Sequence, residues 1–323
     1  TSFKVGGHEH QLGASIGISM YPFDATTPAE LVDQADNAMY AAKAESGNTF
    51  AFYNRELADQ RARRLELEHS LRRATENAEF ALAYQPIIDL TTGGTTGMEA
   101  LVRWRGAGGE AVAPGEFLDV ADETGLIVPI GHWVLDQACA DLARWRAAGH
   151  DISVAINVSV RQLAEGDVAA TLRKASRTHG VPPDAVVVEV TEAATTRDRD
   201  AIERAMRHLS SLGFRIAIDD FGTGYSAIGR LKDLPVSILN IDKSFVFDAP
   251  TDASDAGVVR AIVGLAESLG FDVVAEGVET AEHAAFLQRI GCRWVQGFHY
   301  SRPMRATDAD AWLADHGARR PAD

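Results

Sequence analysis

The chain has 323 residues, 46% of them hydrophobic and 24% charged, so it can bury a sizeable core in one large domain or two ordinary ones. Lys and Arg number 31 against 46 Asp and Glu, a formal net charge of -15; this argues against the basic face a nucleic-acid polymer needs and leaves small anionic ligands held by metal ions or a few arginines. Cys139 and Cys292 have no paired spacing and no His cluster and read as reduced, buried thiols in a cytosolic setting; no apolar stretch reaches the ~18 to 20 residues that span a bilayer.

Residues 1–53 read as strand, helix and strand in "LGASIGISMYP", "PAELVDQADNAMYAAKAESGN" and "TFAFY". So short a segment buries little core alone, which suggests that it packs on something else. Residues 54–79 are charged and free of Gly and Pro, and predict a linker helix. Leu57, Arg64 and Leu71 stand at heptad spacing, too few to establish a coiled coil.

From residue 80 onward, apolar strand-like runs recur at 80–88, 97–104, 152–159, 185–192, 215–220, 236–242, 272–279 and 293–300. Between most of them lie helical patterns such as Ile202, Ala205, Met206, Leu209 and Leu212, spaced for one helix face. Helices run into Gly149, Gly180, Gly213, Gly270 and Gly291, where left-handed C-caps are expected. The alternation implies parallel pairing through crossovers. The expected fold class is α/β, a closed (β/α)8 TIM-like barrel over 80–310, preceded by the partial α+β segment and the linker helix and followed by a tail at 311–323. One connection breaks the rule: the nine residues "DLTTGGTTG" between Ile88 and Met98 are too few for a helical crossover, so the first strand should pair antiparallel with the second.

Active sites of such barrels lie at the C-terminal ends of the strands. There the sequence places Gln85, Glu99, Asn157, Glu189, Asp219 with Asp220, Asn240 with Asp242, Glu276 and Gln296. A single polar residue at a strand end commonly caps the next helix. Repeated on every strand, with oxygen donors and no Cys or His, the pattern favours Mg or Mn over zinc. Within "RIAIDDFGTGYS", Asp219 and Asp220 point to opposite faces if the strand continues, or both project from its end if it stops. A cation is the usual means of relieving their repulsion.

These residues resemble the EAL domain of bacterial cyclic di-GMP signalling. Glu99-Ala100-Leu101, after "YQP" at 84–86, gives that family its name, and "INVS", "EVTE", "DDFGTGYS", "AEGVET" and "QGFHYSRP" follow in family order over about residues 65–310. The resemblance implies a phosphodiesterase that opens cyclic di-GMP to linear pGpG with two Mg or Mn ions. It would place one ion on Glu99, Asn157, Glu189 and Asp219, and a second on Asp219, Asp220 and Glu276. Glu276 would accept the proton of the attacking water and Gln296 would lie near that water. Gln85 would contact a guanine edge, Leu101 would touch substrate, and Arg103 would clamp a phosphate oxygen. Glu192, Asp242 and Glu279 would support these groups from behind, Glu192 and Glu279 by fixing the "FGTGYS" loop.

One position departs from the family pattern. Where the family reads Leu-Lys-Ile-Asp, this chain reads Leu239-Asn240-Ile241-Asp242, so a neutral amide replaces the lysine expected beside the water and phosphate. Natural divergence, a crippled receptor and an engineered inactivation would leave the same sequence. Two functions follow: a metal-dependent hydrolase slowed at Asn240, or a catalytically impaired module that binds cyclic di-GMP and signals through the linker helix. Residues 1–53 resemble the C-terminal part of a GGDEF, or diguanylate cyclase, domain without its signature loop, and should not make cyclic di-GMP. The resemblance further implies a homodimer through the barrel, a sensor or GGDEF portion upstream, and a cytoplasmic location with a membrane tether upstream left open.

Overall fold

The computed structural model describes residues 2–5, 8–11, 14–45, 49–77, 79–106, 108–196, 199–223 and 231–317, in two compact units, Thr1–Ser70 and Leu71–Asp323. In the first unit a hairpin of Ser2–Val5 and His8–Gln11 precedes two short parallel strands, Ile16–Ile18 and Phe50–Phe52, joined through helix Pro28–Glu45. Phe23, Tyr21, Val32, Phe50, Phe52 and Tyr40 are exposed there, as expected of so small a layer. Helix Arg55–Asn77 follows, with Leu71 and Ala74 fully buried.

The second unit is a closed barrel of strands β1 (Phe80–Asp89), β2 (Thr95–Arg105), β3 (Ser153–Asn157), β4 (Val186–Thr191), β5 (Arg215–Phe221), β6 (Ile238–Ile241), β7 (Asp272–Ala275) and β8 (Trp294–Val295). β2 to β8 are mutually parallel in chain order, and β1 closes the barrel antiparallel to both β2 and β8. The short β1–β2 connection dictates that reversal. Helices Ile127–Ala147, Val168–His179, Arg199–Ser211, Ala253–Leu269 and Ala281–Arg289 fill five of the six crossovers, and the β5–β6 connection lies partly outside the described residues. All five expected C-cap glycines have positive φ.

Because side chains alternate along a strand, every second residue faces the barrel interior. Ile87, Ala155, Val187, Ala217, Ile238 and Val274 form an apolar layer there, packed against Trp294. Two residues further along the parallel strands stand Asn157, Glu189, Asp219, Asn240 and Glu276. The sequence thus builds an apolar middle layer and a polar mouth.

Several boundaries differ from expectation. β7 ends at Ala275 and β8 at Val295; beyond them "AEGVET" and "QGFHYSRP" leave regular strand geometry but stay tied to each other and to β6, with Glu276 N–H donating to the Ile241 carbonyl, Gln296 N–H to that of Ala275 and Val278 N–H to that of Gln296. Short strands at Ala111–Val112 and Met304–Arg305 pair with β2 and β1. Helix Ala306–His316 occupies part of the segment expected as tail; its Leu313 is fully buried and Trp312 Nε1 donates to Thr95 Oγ1 at 2.9 Å. Cys139 and Cys292 are free and buried, and burial pushes both thiols up to about 12. Among the described residues no helix is long and apolar enough to cross a membrane.

Candidate active site

Strand register assembles the polar mouth. Gln85 lies opposite Glu99 across the β1–β2 pair, and Asn157 lies beside Glu189 across β3–β4. The first cluster centres on Glu99: its Oε1 accepts from Asn157 Nδ2 at 2.7 Å and its Oε2 from Gln296 Nε2 at 2.6 Å. Gln296 Nε2 also reaches Gln85 Oε1 at 3.1 Å, while Gln85 Nε2 donates to the Ser301 carbonyl at 3.0 Å. The second cluster centres on Asn240, only 1% exposed, whose Nδ2 donates to Glu189 Oε1 at 2.7 Å and Asp219 Oδ1 at 3.3 Å.

Asp219 and Asp220 answer the question their adjacency posed. The β5–β6 register shifts between Ile218 and Phe221, and Asp220 adopts a left-handed φ of 54°. Such a bulge re-aims a side chain that strict alternation would send to the other face. Asp219 therefore meets Asn240 and Glu276, while Asp220 meets Asp242. Asp242 also caps helix Lys243–Asp248 by accepting from the Ser244 N–H at 3.0 Å. Glu192 Oε2 accepts the Gly222 N–H at 2.9 Å, tying down the start of the loop after β5.

Charge crowds this mouth. Burial, followed by the charge of Asp219, raises Glu99 from 4.5 to about 7. Glu189 is raised well above the usual carboxylate range by burial and by Glu99 and Asp219; Glu276 is raised likewise by burial and by Asp219, Glu99, Glu189 and Asp220. Burial and Asp219 lift Asp220 to about 6. Arg103, two strand positions beyond Leu101 and thus on the face of Glu99, is half-buried and interacts with the Glu99 charge.

Not every expected residue joins these clusters. Glu279 is exposed and its backbone N–H donates to His283 Nδ1 at 3.2 Å; the 224–226 part of the loop it was expected to hold lies outside the described residues. Ser301, which fixes Gln85 through its carbonyl, was not anticipated, because a backbone acceptor leaves no mark in side-chain identity. Gly277, in "AEGVET", has a φ of 72°, and a Cβ there would lie 2.4 Å from Lys243 Cβ, so Glu276 is followed by the residue that the close approach of this loop to the first turn of helix Lys243–Asp248 demands.

Residues 68–303 match the model of the EAL domain. The chain belongs to the EAL-domain family. Residues 1–49 match the model of the diguanylate cyclase GGDEF domain. The bifunctional diguanylate cyclase/cyclic di-GMP phosphodiesterase MucR of Pseudomonas aeruginosa is 42% identical over 313 residues, which cover 97% of this chain and 46% of MucR. The cyclic di-GMP phosphodiesterase NbdA of the same organism is 37% identical over 301 residues, 93% of this chain and 38% of NbdA. The chain thus spans less than half the length of these relatives. The solved PaMucR phosphodiesterase in its cyclic di-GMP complex superposes with a TM-score of 0.72 at 43% identity, over 76% of this chain and 99% of that one.

The donor set of this EAL domain suits hard divalent cations. It consists of oxygen ligands that range from buried Glu189 through half-buried Glu99, Asp219 and Glu276 to exposed Asn157 and Asp220, and the proton affinities of Glu99, Glu189 and Glu276 are raised first by burial and then by the negative charge of neighbouring carboxylates. Among the described residues no three His, Cys, Asp or Glu side chains stand as a preformed metal cluster; Glu99, Glu189 and Asp219 each accept from an amide instead.

Proposed function

We propose that this EAL domain hydrolyses cyclic di-GMP to linear pGpG with divalent metal ions. The observation that carries the reading is the convergence of Glu99, Asn157, Glu189, Asp219, Asp220 and Glu276 on one barrel mouth, in a family whose relatives are named as cyclic di-GMP phosphodiesterases. Glu99, Asn157, Glu189 and Asp219 would hold one Mg or Mn ion; Asp219, Asp220 and Glu276 would hold the other. Bound there, the two cations acidify a water and offset charge on the phosphate.

The chain's own groups would do the rest. Arg103 would clamp a phosphate oxygen with its planar guanidinium, beside substrate contacts from Leu101, and Gln85 would read a guanine edge. Gln296, already held between Gln85 and Glu99, would orient the attacking water. That water would form the new O–P bond as the P–O3′ bond breaks, its proton would pass to the Glu276 carboxylate, and the departing ribose 3′ oxygen would take up a proton from solvent to become a hydroxyl, which opens the ring with one 5′ phosphate retained. Glu192 would keep Asp219 and Asp220 in place through Gly222.

A second reading rests on Asn240, where a neutral amide bonds two of the carboxylates at the position the family resemblance gives to lysine. Under it, the chain is a receptor that holds cyclic di-GMP without turnover. Titration calorimetry with cyclic di-GMP in Ca, followed by product analysis in Mg or Mn, separates the two. Tight binding followed by pGpG supports the enzyme, and tight binding with intact ligand supports the receptor.

A further inference from the structure

Beneath the acidic mouth the barrel interior holds a cavity of about 40 Å³. Its polar lining comes from Thr96, Ser153, Glu189, Arg215, Asn240 and Trp294. Two of these carry buried polar atoms with no hydrogen-bond partner among the described residues, Asn240 Oδ1 and Trp294 Nε1. One is an acceptor and the other a donor. They belong to different layers: Trp294 packs against the apolar middle layer, while Asn240 bonds Glu189 and Asp219 at the mouth.

The amide of Asn240 cannot remove its orphan by turning over. Its nitrogen already donates to two carboxylate oxygens, and a flip would place Oδ1 against both of them. The oxygen is thereby turned away from the acids, with no donor among the described residues to meet it. A buried polar atom in this position is ordinarily satisfied by water, and a water centre needs roughly 10–15 Å³ of accessible space, so the cavity has room for about three. Water can accept from the indole N–H and donate to the amide oxygen, the two roles this lining leaves open.

We propose that this cavity is a hydration site, in which one water or a file of about three joins Trp294 Nε1 to Asn240 Oδ1 and holds the Asn240 amide aimed at Glu189 and Asp219. Trp294 is then a positioning residue, acting on the mouth through water and Asn240. The site exists whether the chain turns substrate over or only binds it.

The test begins with a crystal structure of the wild-type chain at a resolution that shows ordered water. The expected result is solvent density within hydrogen-bond distance of both Trp294 Nε1 and Asn240 Oδ1; an empty cavity, or either atom bonded to protein, overturns the proposal. Oxygen-17 relaxation dispersion, which counts long-lived internal waters, should show fewer in Trp294→Phe, which keeps a ring but lacks the donor, and in Asn240→Leu, which lacks the acceptor. An unchanged count in both variants contradicts the assignment. In Trp294→Phe the side-chain amide resonances of Asn240 should shift while the barrel backbone spectrum is retained. Unmoved Asn240 resonances would remove the positioning role.

Discussion

Asn240 Nδ2 lies 2.7 Å from Glu189 Oε1 and 3.3 Å from Asp219 Oδ1, so a single neutral amide bridges carboxylates of two neighbouring strands. A lysine there would bring a full charge to the same pair and to the phosphate beyond. Losing one group that stabilises transition-state charge typically costs ~3 kcal/mol, or about 10² to 10³ in rate. Asn240→Lys should therefore raise kcat by roughly 10², with a much smaller change in substrate affinity. Steady-state kinetics in saturating Mn checks this, and a fast wild-type enzyme left unimproved by the lysine would show that the amide suffices.

Glu99→Ala and Asp219→Ala should each abolish hydrolysis and weaken divalent binding, because each removes an anionic oxygen no neighbour replaces. Glu99 stands at the centre of the Asn157 and Gln296 contacts, and Asp219 adjoins both Asn240 and Glu276. Calorimetric titration with Mg or Mn measures the affinity. Wild-type affinity in both variants would remove these two residues from the metal site.

The raised carboxylates predict an unusual pH dependence for the metal-free protein. Glu99 is raised from 4.5 to about 7 and Asp220 from 3.8 to about 6, so between these limits the folded chain holds protons that the unfolded chain has released. This contribution is favourable at the acid end and is lost as pH rises from about 4 to 7. Divalent ions should reverse it, raising the melting temperature more at pH ~7.5 than at pH ~5, since protons must leave before the cation binds. Scanning calorimetry with EDTA and with Mn tests both statements. A Glu99→Gln variant with the same pH slope as the wild type would refute the assignment to Glu99.

Residues 1–53 should contribute no cyclase activity, because the signature loop where that chemistry would reside is missing from this sequence. Incubation of the pure chain with GTP and Mg should leave the nucleotide intact. Any cyclic di-GMP formed would overturn this expectation.

The barrel could be read from residues because its signals are local and periodic. Apolar runs alternate with helical patterns, glycines end the helices, and nine residues between Ile88 and Met98 leave no room for a crossover. Strand-end polar residues were equally visible, since alternation assigns Gln85, Glu99, Asn157, Glu189, Asp219, Asn240 and Glu276 to one interior. Their hydrogen-bond partners were not. The pairing of Glu99 with both Asn157 and Gln296 depends on barrel closure, which brings residues nearly 200 positions apart together. The bulge at Asp220 and the Ser301 carbonyl are backbone properties without a side-chain signature. The cavity below Asn240 depends on how side chains from many strands fill one volume, and no short motif records that.

The central claim is metal-dependent opening of cyclic di-GMP at this mouth, and a single-turnover assay with enzyme in excess, resolved by chromatography, tests it most directly. The account predicts that wild-type chain with Mn or Mg converts cyclic di-GMP slowly to pGpG, that Asn240→Lys does so faster, and that EDTA stops both. Ligand that stays bound and intact in both proteins with either metal, or product that forms equally in EDTA, would contradict it.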